Sequence, residues 1–195
     1  MAPFTEHVLT FQATGYTSTT ITIDGKDPGY QSFLKVELKK IIPVGGDPSA
    51  IDWEVIDSRW IKNIYSNREI TMSDTVTEKM WLYDLNRMHW GFWRDAVTDC
   101  ENFSYAGYTN WRLPNRDELV NQVSQKRLFV GVKSGYLYWS KTTGIYYYPI
   151  SRSKDDGAWC VDMSNGSSRC DTLLSMHYIW PVRDINSQKA PVPWW

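Results

Sequence analysis

The residues best placed for recognition chemistry are three consecutive tyrosines, Tyr146, Tyr147 and Tyr148, followed closely by Arg152 and Lys154. Successive side chains of an extended segment point to opposite faces, so the three rings cannot share one core and at least one must be exposed or in an interface. Tyrosine rings beside Arg and Lys suit stacking on sugar faces and pairing with sulfate or carboxylate groups. These five are the candidate ligand-binding residues. The alternative is a hairpin loop that packs on its own domain or on a neighbour. Ser124, Gln125, Lys126 and Arg127 form a second basic turn, read most simply as a solvated helix end.

Covalent and metal chemistry has thinner support. Cys160 and Cys170 flank Asn165-Gly166, a strong hairpin-turn signal. They form either a cross-strand disulfide, with Cys100 left as a buried single thiol, or two reduced and partly buried thiols. There is no CxxC, His-x-His or HExxH string, and His7, His89 and His177 lie far apart, so neither a metal site nor a cofactor is expected. No paired-carboxylate, Gly-rich phosphate or triad signature occurs, and the chain is not expected to be an enzyme.

The elements that position these residues follow from periodicity. From His7 to about Leu38 the alternation is strand-like, with turns at Asp24-Gly25 and Asp27-Pro28-Gly29, which predicts a small antiparallel meander. PVGGDPSA at 43–50 reads as a seam, with the boundary near Ile51. Beyond it, Trp93, Ala96, Val97, Cys100 and Phe103 fall at helical spacing, with Gly107 where a C-terminal cap belongs. A second, shorter helix starts at Asn115, with Glu118 completing a capping box and Leu119, Val120 and Val123 as its buried side. After residue 128 the pattern returns to strands, an α+β order. The expected organisation is a β-rich docking region at 1–50, the main domain at 51–186 and an apolar tail at 187–195.

Composition bounds the partners. The 195 residues carry 21 Lys+Arg against 22 Asp+Glu, a balance of -1 that argues against nucleic acid as the main partner. No window approaches 18 consecutive apolar residues, and MAPFTEHVLTFQ has neither a basic start nor an apolar h-region, so no membrane insertion and no signal peptide are expected. The 11 Trp, 12 Tyr and 6 Phe exceed what a core of this size requires, which fits a recognition surface.

Read in order, TMSDTVTEKMWL, WRDAVTDC, AGYTNWRLPNRDEL, YWSKTT, GAWCVDM and the closing PVRD resemble a bacterial domain family of uncharacterised function, typified by the C-terminal domain of the Legionella collagen-like adhesin. The resemblance spans about residues 58–186. It implies a C-type lectin-like domain of two helices plus antiparallel strands, here preceded by the small β region. Glu78 and Lys79 stand where the family commonly has Gly and Leu. Pro181 replaces a family cysteine, so Cys100 lacks that partner, and GIYYYPISRSKDD is a longer and more aromatic insertion than the pattern implies. Trp81, Trp111, Leu113, Trp139, Ser140 and Arg183 read as scaffold, with Arg112 paired to a carboxylate.

A shared scaffold identifies a fold better than a ligand. The favoured expectation is a non-catalytic module, adhesin-like, recognising a cell-surface glycan, glycosaminoglycan or protein receptor at an extracellular or virion surface. With no EPN, QPD or WND string, calcium-dependent sugar binding of the usual kind is not expected. The alternative is a structural subunit of a phage tail, capsid decoration or filament. The tail APVPWW suits this, since an exposed Trp194-Trp195 end would dock on its own domain or on a neighbour in a homo-oligomer or larger assembly.

Overall fold

The computed structural model describes residues 6–11, 19–24, 46–47 and 49–185. In the N-terminal region β1 (Glu6–Phe11) pairs antiparallel with β2 (Thr19–Asp24). The third run of the expected meander and the apolar tail lie outside the described residues.

The main body is α+β, with two antiparallel-rich sheets and two α-helices among the described residues, in keeping with the lectin-like expectation. The first sheet holds β3 (Asp52–Val55), β4 (Trp60–Ile64), β5 (Ile70–Asp74), β6 (Lys79–Leu82) and, late in the chain, β12 (Val182–Asp184), in the order β12-β6-β5-β4-β3. The second takes β7 (Trp90–Phe92), β8 (Leu137–Tyr147), β9 (Lys154–Asp162), β10 (Ser168–Thr172) and β11 (Met176–Tyr178), in the order β10-β9-β8-β11-β7. Its one parallel pairing joins β11 to β8.

Period-two alternation in β8 and β9 divides the interior. Tyr138 and Val161 face a core that ties both sheets to α2 (Arg116–Gln122) through Trp60, Trp81, Trp111, Leu119, Phe129 and Trp180. Trp139 and Cys160 point the other way, into a smaller core closed by Ala96 and Cys100 of α1 (Trp93–Asn102). Edge-on ring contacts at 4.9 Å (Phe129–Trp180) and 5.4 Å (Trp81–Trp180) join the large core. The expected scaffold residues Trp81, Trp111, Leu113, Trp139, Ser140 and Arg183 are all buried.

The capping box at α2 forms as the sequence predicts: Asn115 Oδ1 accepts from the Glu118 amide at 2.7 Å, and Glu118 Oε2 accepts from the Asn115 amide at 2.7 Å. The same Glu118 is the carboxylate partner of Arg112, which donates to it at 2.8 and 2.9 Å. Two expectations need correction. Val120 is 38% exposed, and Gln122 is buried in its place, because the inward stripe of this seven-residue helix runs 119, 122 and 123. Gly107 does not cap α1, which ends at Asn102. With Ala106 it makes a tight turn, φ 56° and 75°, closed by the Tyr105–Tyr108 bridge. Just before the expected boundary near Ile51, Asp47 and Ala50 are buried.

Candidate functional site

The candidate recognition residues lie on the β8–β9 hairpin. Alternation along its strands separates the three tyrosines. Tyr146 and Tyr148 share one face as a half-buried edge-on pair with ring centroids 5.0 Å apart. Tyr147 is on the other face, 65% exposed, directly across from Lys154. Ile145, paired with Asp156, continues that face toward α1. Arg152 sits in the exposed turn at φ 55°, held by its amide to the Tyr148 carbonyl at 3.0 Å. The five expected residues are therefore not one patch: Tyr147 and Lys154 form one side and Tyr146 with Tyr148 the other.

Beside Ile145 the sheet and the start of α1 enclose an open cleft of about 420 Å³, lined by Trp93, Arg94, Thr143, Ile145, Asp156 and Leu173. Trp93 is fixed there by its indole N–H to the Ser140 carbonyl at 2.8 Å. Arg94 and Asp156 bring opposite charges to the cleft wall, and Asp155 and Asp156 follow Lys154 directly, so the rim is not a purely basic surface. These wall residues escaped the sequence reading. The alternation Thr143, Ile145, Tyr147 on β8 was the signal that could have found them.

A second, smaller groove of about 280 Å³ lies over β7 and β11, lined by Trp90, Tyr136, Leu137, Met176, His177 and Tyr178. The rings of Tyr136 and Tyr178 meet edge-on at 5.3 Å. The basic turn at Ser124 to Arg127 is tied to a neighbouring loop instead of standing free, because Lys126 Nζ donates to the carbonyls of Met163 and Ser164.

The expected Cys160–Cys170 bridge is not formed: Cys100, Cys160 and Cys170 are all free thiols. Cys160 is opposite Arg169 and Cys170 is opposite Trp159, so the two sulfurs leave opposite faces of the sheet. The hairpin turn explains this. Asp162 pairs with Ser167 around a four-residue loop with Gly166 at φ 81°, and an even loop joins positions whose numbers have an odd sum. Residues 160 and 170 cannot then face each other. Burial pushes the Cys160 thiol up to about 12, and also raises Cys100. Thiol labelling of denatured, non-reduced protein is expected to count three reactive thiols per chain. A count of one would contradict this register.

On the α1 side of the second sheet, Cys160 meets two residues brought from β10 and β11. His177 Nε2 lies 3.1 Å from Asp171 Oδ2, and the His177 ring rests against Trp139 with centroids 4.3 Å apart. Desolvation lowers the His177 pKa despite the carboxylate beside it. Asp171 is held below the usual aspartate range: burial raises it, but donors from Thr172, Ser175 and His177 outweigh that. Sequence spacing gave no hint of this group.

The model of one domain family, the Lcl C-terminal domain, matches residues 70–183, more than half of the chain. The chain belongs to that family. This agrees with the resemblance carried by the WRLP block and its neighbours, and it gives the chain a lectin-like module of adhesin type. The matched segment runs from β5 to β12 and holds the β8–β9 hairpin, the cleft and the Cys160, Asp171 and His177 group. No curated relative matches the chain. None of its described helices is long and apolar enough to cross a membrane.

Proposed function

We propose that this Lcl C-terminal domain is a non-catalytic binding module that recognises a glycan at a cell or virion surface through the cleft beside the β8–β9 hairpin. The carrying observation is the shared face of Tyr147, Ile145 and Lys154, which leads into a cleft walled by Trp93, Arg94 and Asp156. An exposed ring offers a stacking surface, while the mixed charges of the wall suit hydroxyl-rich or mixed-charge sugars better than a uniformly sulfated chain. Non-catalysis is supported by the sequence, which carries no paired-carboxylate, Gly-rich phosphate or triad signature.

The test is a triple variant, Tyr147→Ser, Arg152→Ser and Lys154→Ser, assayed on immobilised glycans. All three side chains are exposed, so the melting temperature is expected to stay close to wild type, each change costing within about 0.5 kcal/mol. Binding of the best glycan is expected to weaken at least about tenfold, since each central aromatic or cationic contact commonly contributes more than about 1 kcal/mol. Unchanged glycan binding in the folded variant would sink the assignment of this face.

A second reading, an assembly contact in a tail, decoration or filament, is favoured by one feature. Ile150, at the hairpin tip, is 98% exposed, and an isoleucine so presented suits burial against another subunit. If Ile150→Ser shifts the sedimentation of the wild-type chain from an assembly to a monomer while glycan binding persists, the tip serves assembly and the cleft serves recognition.

A further inference from the structure

We propose that Cys160, Asp171 and His177 form a zinc site that clips β9, β10 and β11 together. One thiolate sulfur, one carboxylate oxygen and one imidazole nitrogen can be chosen so that all lie within 4.8 Å of one another. Tetrahedral zinc, with ligands at about 2.0–2.3 Å, sets its donors roughly 3.5 Å apart, so closing on an ion asks for a shift on the order of 1 Å. The donor set is also selective by type. Calcium and magnesium take oxygen ligands, whereas sulfur, nitrogen and oxygen in one site suit zinc.

The surroundings are those of supported ligands. Asp171 Oδ1 accepts from the Thr172 amide at 2.8 Å and from Ser175 Oγ at 3.0 Å, which orients the carboxylate and leaves Oδ2 turned to His177. Trp139 fixes the plane of the imidazole, and its own indole N–H is tied to the Gly91 carbonyl at 2.9 Å. Oriented neighbours of this kind commonly govern metal affinity as strongly as about 10- to 100-fold. Three contacts must yield, the first being the His177 Nε2 to Asp171 Oδ2 hydrogen bond, whose place the ion takes. The Cys160 thiol donates to the Arg169 carbonyl at 3.4 Å, and on coordination that proton leaves to solvent as zinc takes the thiolate. Arg169 reaches Asp171 Oδ2 at 3.4 Å from a largely exposed position and can turn away.

Three protein ligands leave a fourth position. In a site with three protein ligands that position is commonly taken by a water. The proposal is independent of glycan recognition at the hairpin cleft, whose walls contribute none of the three ligands.

The experiment uses the full chain, stripped by dialysis against a chelator and titrated with Zn²⁺ against a chromophoric competitor. One zinc per chain is expected, with at least tenfold weaker affinity in Cys160→Ser and in His177→Gln. Cys170→Ser, altered on the opposite face of the sheet, is expected to bind within twofold of wild type. Co²⁺ in place of zinc is expected to give the intense visible bands of a tetrahedral site and a near-ultraviolet thiolate charge-transfer band, the latter lost in Cys160→Ser. Should Cys160→Ser fail to fold, the wild-type cobalt spectrum and the His177→Gln affinity decide. No stoichiometric zinc uptake by wild type, a cobalt spectrum without the thiolate band, or unchanged affinity in His177→Gln each overturns the proposal.

Discussion

Trp111→Ala is expected to remove about 3–5 kcal/mol of stability, the range for deleting a buried aromatic that the surrounding core cannot collapse to fill. Trp111 is 1% exposed and packs edge-on against Phe103 at 6.0 Å and Tyr105 at 6.2 Å. Its indole N–H donates to the Tyr105 carbonyl at 3.3 Å, a bond that alanine leaves unmade. Urea unfolding checks the size of the loss. Glycan binding at temperatures where the variant remains folded is expected to equal wild type, because no wall of the cleft is touched. A variant that melts like wild type yet has lost binding would place Trp111 in the site and remove it from the scaffold.

The contrast between Trp111 and the cysteines shows what the sequence makes legible. The Asn115 and Glu118 capping box, the Arg112 partner and the buried tryptophans depend on neighbours a few residues apart or on plain apolarity, and both survive folding unchanged. Outcomes that depend on register or on the meeting of distant strands do not. The hairpin at Asn165-Gly166 was readable, but whether residues 160 and 170 share a face turns on one residue of loop length. The tyrosine triplet was correctly read as unable to share one face, yet which ring meets Lys154 follows from the β8–β9 pairing. His177 lay unmarked 17 positions beyond Cys160, since only the return of β11 to β8 brings the histidine over the sheet. Fold class and family therefore came from local pattern and the order of the motif blocks, while the cleft wall and the three-donor group came from topology.

Asp47→Ala is expected to cost about as much as Trp111→Ala, roughly 3–5 kcal/mol, because it breaks a buried charged network by removing its centre. Asp47 is 2% exposed. Its carboxylate accepts from the Tyr65 hydroxyl, from the Tyr108 hydroxyl at 2.7 Å and from Ser49 through both amide and Oγ at 2.8 Å. Arg183 lies over the Tyr108 ring at 3.7 Å, where burial lowers its pKa and the nearby Tyr108 and Asp47 only partly oppose that. Alanine would take the anionic acceptor away from two buried phenols and leave them only weaker neutral partners, Thr71 for Tyr65 and Ser49 for Tyr108. Asp47 lies well upstream of residue 70, where the family match begins, so the result also decides whether this segment completes the domain. The effect carries a pH signature. Burial raises the Asp47 carboxyl, but the donors from Tyr65, Tyr108 and Ser49 outweigh it and hold the group below its ordinary value of 3.8. A carboxyl depressed in the folded state contributes stability that is complete above that ordinary value and is lost as pH falls through the folded one. The gap between wild type and Asp47→Asn in urea unfolding is thus expected to be full at pH 7 and to narrow in acid below about pH 4, as the wild-type carboxyl takes up its proton. A gap near zero at pH 7 would mean that Asp47 is bystander to the fold and that the domain begins after it.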